Sequence, residues 1–292
     1  MTSGIVTSLH IHPVKSCHRI EVDSATVCAT GLAHDRLWQV SAADGSKPVT
    51  QRQRAVLATV QPELIDGGLR LSAPGLDPIE IETPTANDTT TTSLIGQAVE
   101  VADGGEEAAD WFSGLLGDHV RLHGATASSS HRAPAPIDLF GEQLSFADLA
   151  PVLVTNTASL DWLVARAAEP FDMARFRPNI VIETDEPFAE DTWARFTIGD
   201  CELRHGLAWP RCAIPQVDQD SGERHREPAV VLKAHRNVTS APGMPDGIRP
   251  VIEGKSVFGV GCAIGPVDSV ISVGDRLTVT ATMTPLIAPP PS

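Results

Sequence analysis

Short apolar runs, each broken within 8–12 residues by Gly, Asp or Pro, constrain this chain more than any other feature, because they suit strands that close into barrels and leave little room for helices. Strands are expected at residues 5–13, 25–28, 37–41 and 55–61. Residues 69–72 and 79–82 read as two arms of a hairpin around an Ala-Pro-Gly-Leu-Asp-Pro turn. The polar run NDTTTTS at 87–93 reads as a loop or a strand edge. Further strands are expected at 119–123, 179–183, 195–198, 201–205 and 272–282.

Helical periodicity is confined to two places. Ala108, Ala109, Phe112, Leu115 and Leu116 make one apolar stripe over 106–116, closed by Gly117. A second helix is expected over 159–168, behind the capping cluster Thr155-Asn156-Thr157. The segment GATASSSHRAPAP, from Gly124, reads as a linker, and the end of the chain, PLIAPPPS, as disordered. The chain is thus expected to be mainly β with some α, in an N-terminal part (1–125), a C-terminal part (126–284) and a tail (285–292).

Charge narrows the function. Lys and Arg number 22 against 37 acids, a net charge of −15, so neither nucleic acid nor an anionic membrane surface is an expected partner. The start of the chain lacks the pattern of a secretory signal and no apolar run is long enough to cross a membrane. The five cysteines show no CxxC spacing, and a reducing cytoplasm is the expected location.

Several motifs fail on their chemistry. In Gly259-Val260-Gly261-Cys262-Ala263-Ile264-Gly265 the third glycine comes one residue late for a dinucleotide fingerprint. Asp218-Gln219-Asp220-Ser221-Gly222 lacks the later ligands of a calcium loop and reads as a tight turn. His10 and His12 alternate on a strand with no third ligand nearby, and are read as packing or surface histidines. No GxSxG elbow is present.

What remains are cations beside turns: Lys15-Ser16-Cys17, His34-Asp35-Arg36 and Arg175-Phe176-Arg177-Pro178-Asn179. Each is open to two readings, a salt bridge to one of the acids or convergence of Lys15, Arg36 and Arg177 on a bound anion. The helix start at Asn156 and Thr157 could serve such an anion or simply cap. In Trp209-Pro210-Arg211-Cys212 a cation stands next to a thiol, a soft metal ligand in its thiolate form, although residue chemistry alone does not rank the five cysteines.

These segments, taken in order, resemble the MOSC family, named for the C-terminal domain of molybdenum-cofactor sulfurases, and most of all its branch of mitochondrial amidoxime-reducing components and their bacterial relatives. The resemblance rests on LHIHPVKSC, GLAHDRLW, VTQRQ, FRPNIVIE, FAEDTWARFTIGD, PRCAIPQVDQDSG, VFGVGCAI and VGDRLTV. It implies a MOSC-type N-terminal β-barrel-like domain packed on a MOSC β-barrel domain. It also implies a molybdenum–molybdopterin cofactor, with Cys212 as metal ligand and catalytic residue. Lys15, Ser16, Arg36, Asn156, Thr157, Ser159, Arg177, Asn179 and Arg211 are its implied contacts. The implied activity is reduction of small N-hydroxylated compounds with electrons from a separate ferredoxin-, flavin- or cytochrome-type protein. A persulfide carrier or maturation factor acting through Cys212 is the alternative, and pyridoxal phosphate binding is a further family association. The chain departs from the pattern at Trp209, where a second cysteine is usual, and at Val260, where an aromatic is.

Overall fold

A computed structural model describes residues 3–83, 89–126, 129, 131–132, 143–239 and 249–288. Seven strands form its main body: β1 (Ser3–Ile11), β2 (Val152–Asn156), β3 (Ile180–Glu183), β4 (Trp193–Ile198), β5 (Cys201–Pro210), β6 (Val257–Gly265) and β7 (Arg276–Thr282). Their order is β3-β2-β6-β5-β4-β7-β1, and β1 pairs back onto β3, which closes the barrel. Every pairing in the ring is antiparallel except β2 with β3, whose connection carries the helix Thr157–Val164, as a parallel pair requires.

Alternation explains the interior. Val152 and Val154, Ile180 and Ile182, Phe196 and Ile198, Cys201 and Leu203, and Val260 and Cys262 each stand two apart, so each pair shares one face of its strand. With Trp193 they fill one buried core. Closure also pairs strand edges that would otherwise be left open.

The intervening chain builds a second core. A four-stranded sheet (Trp38–Ala42, Val120–Gly124, Gln97–Asp103, Thr89–Leu94) and a three-stranded one (Gln61–Ile65, Gly68–Ala73, Leu76–Glu82) are accompanied by the helix Gly105–Leu116. Val40, Leu57, Leu71, Phe112 and Leu122 are buried together there. Gly117 ends the helix in the left-handed conformation, as its sequence position implies. The two bodies share chain: β1 belongs to the barrel, while Val14 and Cys17, just beyond it, are buried in the second core.

Several local expectations change. Residues 55–59 form a 3-10 turn, with a strand only from Gln61; Leu57 and Val60 are buried three apart, a spacing that no strand face provides. Thr89–Leu94 is an edge strand, while residues 87 and 88 of the polar run lie outside the described residues. The second helix begins at Thr157 and stops at Val164. The expected strand at 272–282 breaks at Gly274 (φ +90°), where Asp275 accepts the Ser272 N–H. β2 and β6 had no clear alternation to reveal them, since β2 and residues 257–263 of β6 are buried on both faces. Within the expected tail, Leu286 and Ile287 pack against the Leu207–Val257 cluster, and 289–292 lie outside the described residues, as does most of the expected linker.

Gly259 shows how tightly β6 is built in. Its φ is +70°, and a Cβ there would stand 2.7 Å from the Val154 carbonyl oxygen. Gly259→Ala is expected to cost about 1–3 kcal/mol, read as a lower urea midpoint at unchanged slope.

Candidate functional site

A cavity of about 670 Å³ opens where the barrel meets the second core. Seven of the ten residues named from sequence line it: Lys15, Ser16, Arg36, Arg177, Asn179, Arg211 and Cys212. Ser16 (φ +69°), Arg36 (φ +51°) and Arg177 (φ +55°) hold left-handed backbone, and so does Ile95 (φ +49°) on the same wall. Each such residue costs of order 1–3 kcal/mol and persists only where its surroundings over-determine it. Strain therefore gathers at this cavity.

Asn179 organises the barrel side. Its Oδ1 accepts from Arg36 Nη1 and the Leu153 N–H, both at 3.1 Å, while its Nδ2 donates to the His10 carbonyl at 3.2 Å. Arg36 also donates to Asp35, which accepts the His12 N–H at 2.8 Å. Burial opposes the Asp35 carboxylate, but Arg36 and His12 outweigh it and hold the pKa down to about 2. His10 and His12 are buried; burial lowers His10 to about 4 and His12 well below the usual value, so both are neutral packing groups.

Lys15 donates to the Phe146 carbonyl at 2.9 Å and to Asp148, whose carboxylate is held low against burial by Lys15 and Arg52. Arg175 pairs with Asp218 at 2.9 Å. Each of these cations, like Arg36, forms an ion pair within the chain. Arg177 and Arg211 differ. Arg177 donates to the Cys17 carbonyl (2.7 Å) and Gln219 Oε1 (2.9 Å). Arg211 donates to the carbonyls of Phe258 (2.9 Å) and Phe176 (3.0 Å) and lies 5.1 Å over the Phe176 ring. Burial lowers both to about 9, which leaves them cationic at neutral pH. Neither has a carboxylate within 4.0 Å among the described residues, although Asp35 acts on Arg177 from further off, so two partly desolvated cations face the cavity without an ion-pair partner.

The structure ranks the cysteines. Cys212 alone of the five is exposed. Burial drives Cys17 up to about 12 and raises Cys28, Cys201 and Cys262 as well. Arg52 stands beside Cys212: burial works against the Arg52 charge, but Cys212 and Asp148 raise its pKa overall.

Asn156, Thr157 and Ser159 are not brought to this cavity. Asn156 caps the helix by accepting the Ala158 N–H at 3.2 Å and donates to Thr184, Glu186 and Glu190. Ser159 donates to Glu190 Oε2 at 2.9 Å and accepts the Phe188 N–H. The polar groups of this helix start serve the chain's own buried Glu190, whose pKa burial and Asp191 push up to about 7. Asn156 and Ser159 thus have polar partners within the chain, and neither they nor Thr157 line the cavity.

Sequence reasoning passed over Arg52, Asp148, Lys47 and Lys255, all of which line the cavity. Arg52 lay within the VTQRQ segment but had no turn or apolar strand to mark it. Of the two departures, Trp209 lines the cavity, and Gly261 gives it room: a Cβ there would come 2.6 Å from the indole. Val260 is buried in the barrel core. Residues 218–222 form the expected turn, with Asp218 Oδ1 accepting the N–H groups of Asp220 and Ser221. Among the described residues no group of three or more His, Cys, Asp or Glu could hold a metal, so a metal at Cys212 must bring most of its ligands with it.

Comparison with known proteins bears directly on this geometry. A model of the MOSC N-terminal beta barrel domain matches residues 3–119, and one of the MOSC domain matches residues 141–278. The chain is 33% identical over 285 residues to mitochondrial amidoxime reducing component 2 of Bos taurus, spanning 93% of this chain and 82% of that protein. It is 36% identical over 244 residues to mitochondrial amidoxime-reducing component 1 of Homo sapiens, spanning 80% and 72%.

Alkylation of the native protein is expected to label Cys212 first; Cys212→Ser should abolish the fast phase, and the buried thiols should react only on unfolding. Persistence of the fast phase in that variant would displace Cys212 as the accessible thiol. A second expectation concerns pH. His10 titrates near 4 in the fold and near 6.5 when unfolded, so over that range the unfolded chain binds more protons and wild type loses stability as pH falls. Glu190, raised to about 7, acts in the opposite direction. The test is therefore differential: from pH 7 to 4.5, wild type should lose stability relative to His10→Asn in denaturant titrations.

Proposed function

We propose that this chain, which belongs to the MOSC family, is a molybdenum-cofactor-dependent oxidoreductase that reduces N-hydroxylated compounds such as amidoximes, hydroxylamines and N-hydroxylated bases. One observation carries the reading: a single cavity joins the one exposed thiol to two half-buried arginines that, among the described residues, form no ion pair with a carboxylate. A molybdopterin needs both, a thiolate for its metal and cations for its phosphate. A metal that arrives with dithiolene ligands of its own needs no cluster of protein ligands, and none occurs among the described residues. The similarity to amidoxime-reducing components along most of the chain supports the same assignment.

Arg177 and Arg211 would take the phosphate, Ser16 and Asn179 would offer polar contacts, and Cys212 would hold the metal. When bound, the group supplies two-electron redox chemistry that no side chain provides. The protein's part is positional. Asp35 and Asn179 fix Arg36, Gln219 and the Cys17 carbonyl fix Arg177, and the Phe176 and Phe258 carbonyls fix Arg211. Because these partners are in place beforehand, little ordering is left to accompany binding. The overall reaction is R–NH–OH + 2e⁻ + 2H⁺ → R–NH₂ + H₂O, with electrons from a separate ferredoxin-, flavin- or cytochrome-type protein and protons from solvent at the open cavity.

The test is molybdenum and oxidised-pterin content of protein from a molybdate-fed host, together with benzamidoxime reduction by a reduced dye. Wild type should carry near-stoichiometric metal and turn over. Cys212→Ala should fall to background with an unchanged thermal melt, and Arg177→Gln should release cofactor roughly ten- to a hundredfold more readily. Full activity in Cys212→Ala would overturn the site. Wild type without metal or pterin but with labile sulfane sulfur on Cys212 would establish the persulfide carrier instead, which the exposure of that thiol also suits.

A further inference from the structure

The chain carries a net charge of −15, yet among the described residues eight cationic side chains and one carboxylate, Asp148, line its cavity. Four of the eight have acidic partners: Lys15 and Arg52 share Asp148, Arg36 holds Asp35 and Arg175 holds Asp218. Arg177 and Arg211 answer the cofactor phosphate in the reading above. Lys47 and Lys255 are then left over. Both are exposed, and among the described residues neither forms an ion pair. Asp44 feels Lys47, but its Oδ1 accepts the Ser46 N–H instead.

The two lysines come from different halves of the chain and line the same cavity as Cys212. Lys47 lies five residues before Arg52, which stands beside Cys212. Lys255 adjoins Ser256, whose carbonyl accepts the Arg211 N–H at 2.8 Å, one residue from Cys212. The wall near them is apolar: Trp209 and Val251 pack in one cluster, and Ile95 reaches the cavity from a turn. Ile95 and Gly96 both have positive φ, a turn that Asn-Gly would occupy without strain. A β-branched residue is held there at a conformational cost, and it presents apolar surface to the cavity.

We propose that the substrates of this site are planar N-hydroxylated compounds bearing an anionic substituent, a carboxylate or phosphate, with the ring on the Trp209–Ile95 wall and the anion between Lys47 and Lys255. This rests on the reductase reading. The shared chemistry, a second anion beyond the pterin phosphate, has another source, the extra phosphate of a nucleotide-extended pterin, and the test separates the two.

Metal-loaded enzyme is assayed with benzamidoxime and with 4-carboxybenzamidoxime, for wild type, Lys47→Met/Lys255→Met and Lys47→Arg/Lys255→Arg. Wild type is expected to prefer the carboxylate roughly three- to tenfold in kcat/KM, and the preference should shrink in high salt. The double Met variant should bring the ratio towards one through KM, and the double Arg variant should restore it. Equal handling of both compounds by wild type would overturn this proposal while leaving the reductase reading intact. Reduction of neither compound would overturn both. Loss of molybdenum from the Met variant, with nucleotide released from wild type on acid hydrolysis, would assign the lysines to the cofactor and overturn the proposal.

Discussion

One buried amide holds the site together. Asn179 stands where β1, β2 and the start of β3 converge, and its own backbone pairs with His10 (2.8 Å) and Leu153 (2.9 Å). Its side chain then satisfies the Leu153 N–H and the His10 carbonyl, and receives Arg36 with its remaining capacity. A barrel rim leaves backbone groups without ladder partners, and each one buried unmade would cost about 1–3 kcal/mol. No charged or shorter side chain has two donors and an acceptor in this arrangement. Rim closure and cation placement therefore depend on the same residue.

From that anchor the left-handed residues follow. The Arg36 N–H pairs with the His12 carbonyl and the Lys15 N–H with the Trp38 carbonyl, so the two turns are laced to each other as they leave the barrel. Lacing of this kind holds Ser16 and Arg36 at positive φ. Two bodies built on one continuous strand and two interlocked turns cannot be parted without opening the cavity between them.

Much of this was legible in the residues. Where one face of a strand is buried, as in β4 and β7, period-2 patterning marked the element, although the alternating Val99 and Val101 of the strand Gln97–Asp103 passed unread. Where both faces are buried, as in β6, glycine and apolar residues run together and the signal vanishes. Lys15, Arg36 and Arg177 stood out because charge beside an apolar run is costly and therefore conspicuous, whereas Ser16, Asn179, Arg211 and Cys212 were assigned through the family resemblance. The helix start at Asn156 shows the limit of that signal: capping residues indicate that something polar will be met, but not whether it comes from outside or, like Glu190, from 34 residues further along the same chain. Arg52 and Asp148 were silent, since their importance arises only when the turns bring them to Cys212 and Lys15.

Charge segregation gives the last step. Most acids of this chain face solvent, while the cations of one cavity are gathered and partly desolvated. Field lines from a cationic cleft with low-dielectric walls are focused outward, so anions are drawn towards Cys212 even though the molecule as a whole repels them. The same arrangement discriminates. A neutral compound gains only the apolar wall of Trp209 and Ile95, whereas an anion also relieves the repulsion that the chain's own carboxylates leave among these cations. Folding tolerates Arg177 and Arg211 unpaired because each keeps carbonyl or amide partners. What those partners cannot supply is negative charge, and that deficit is the property from which the ligand chemistry of the cavity follows.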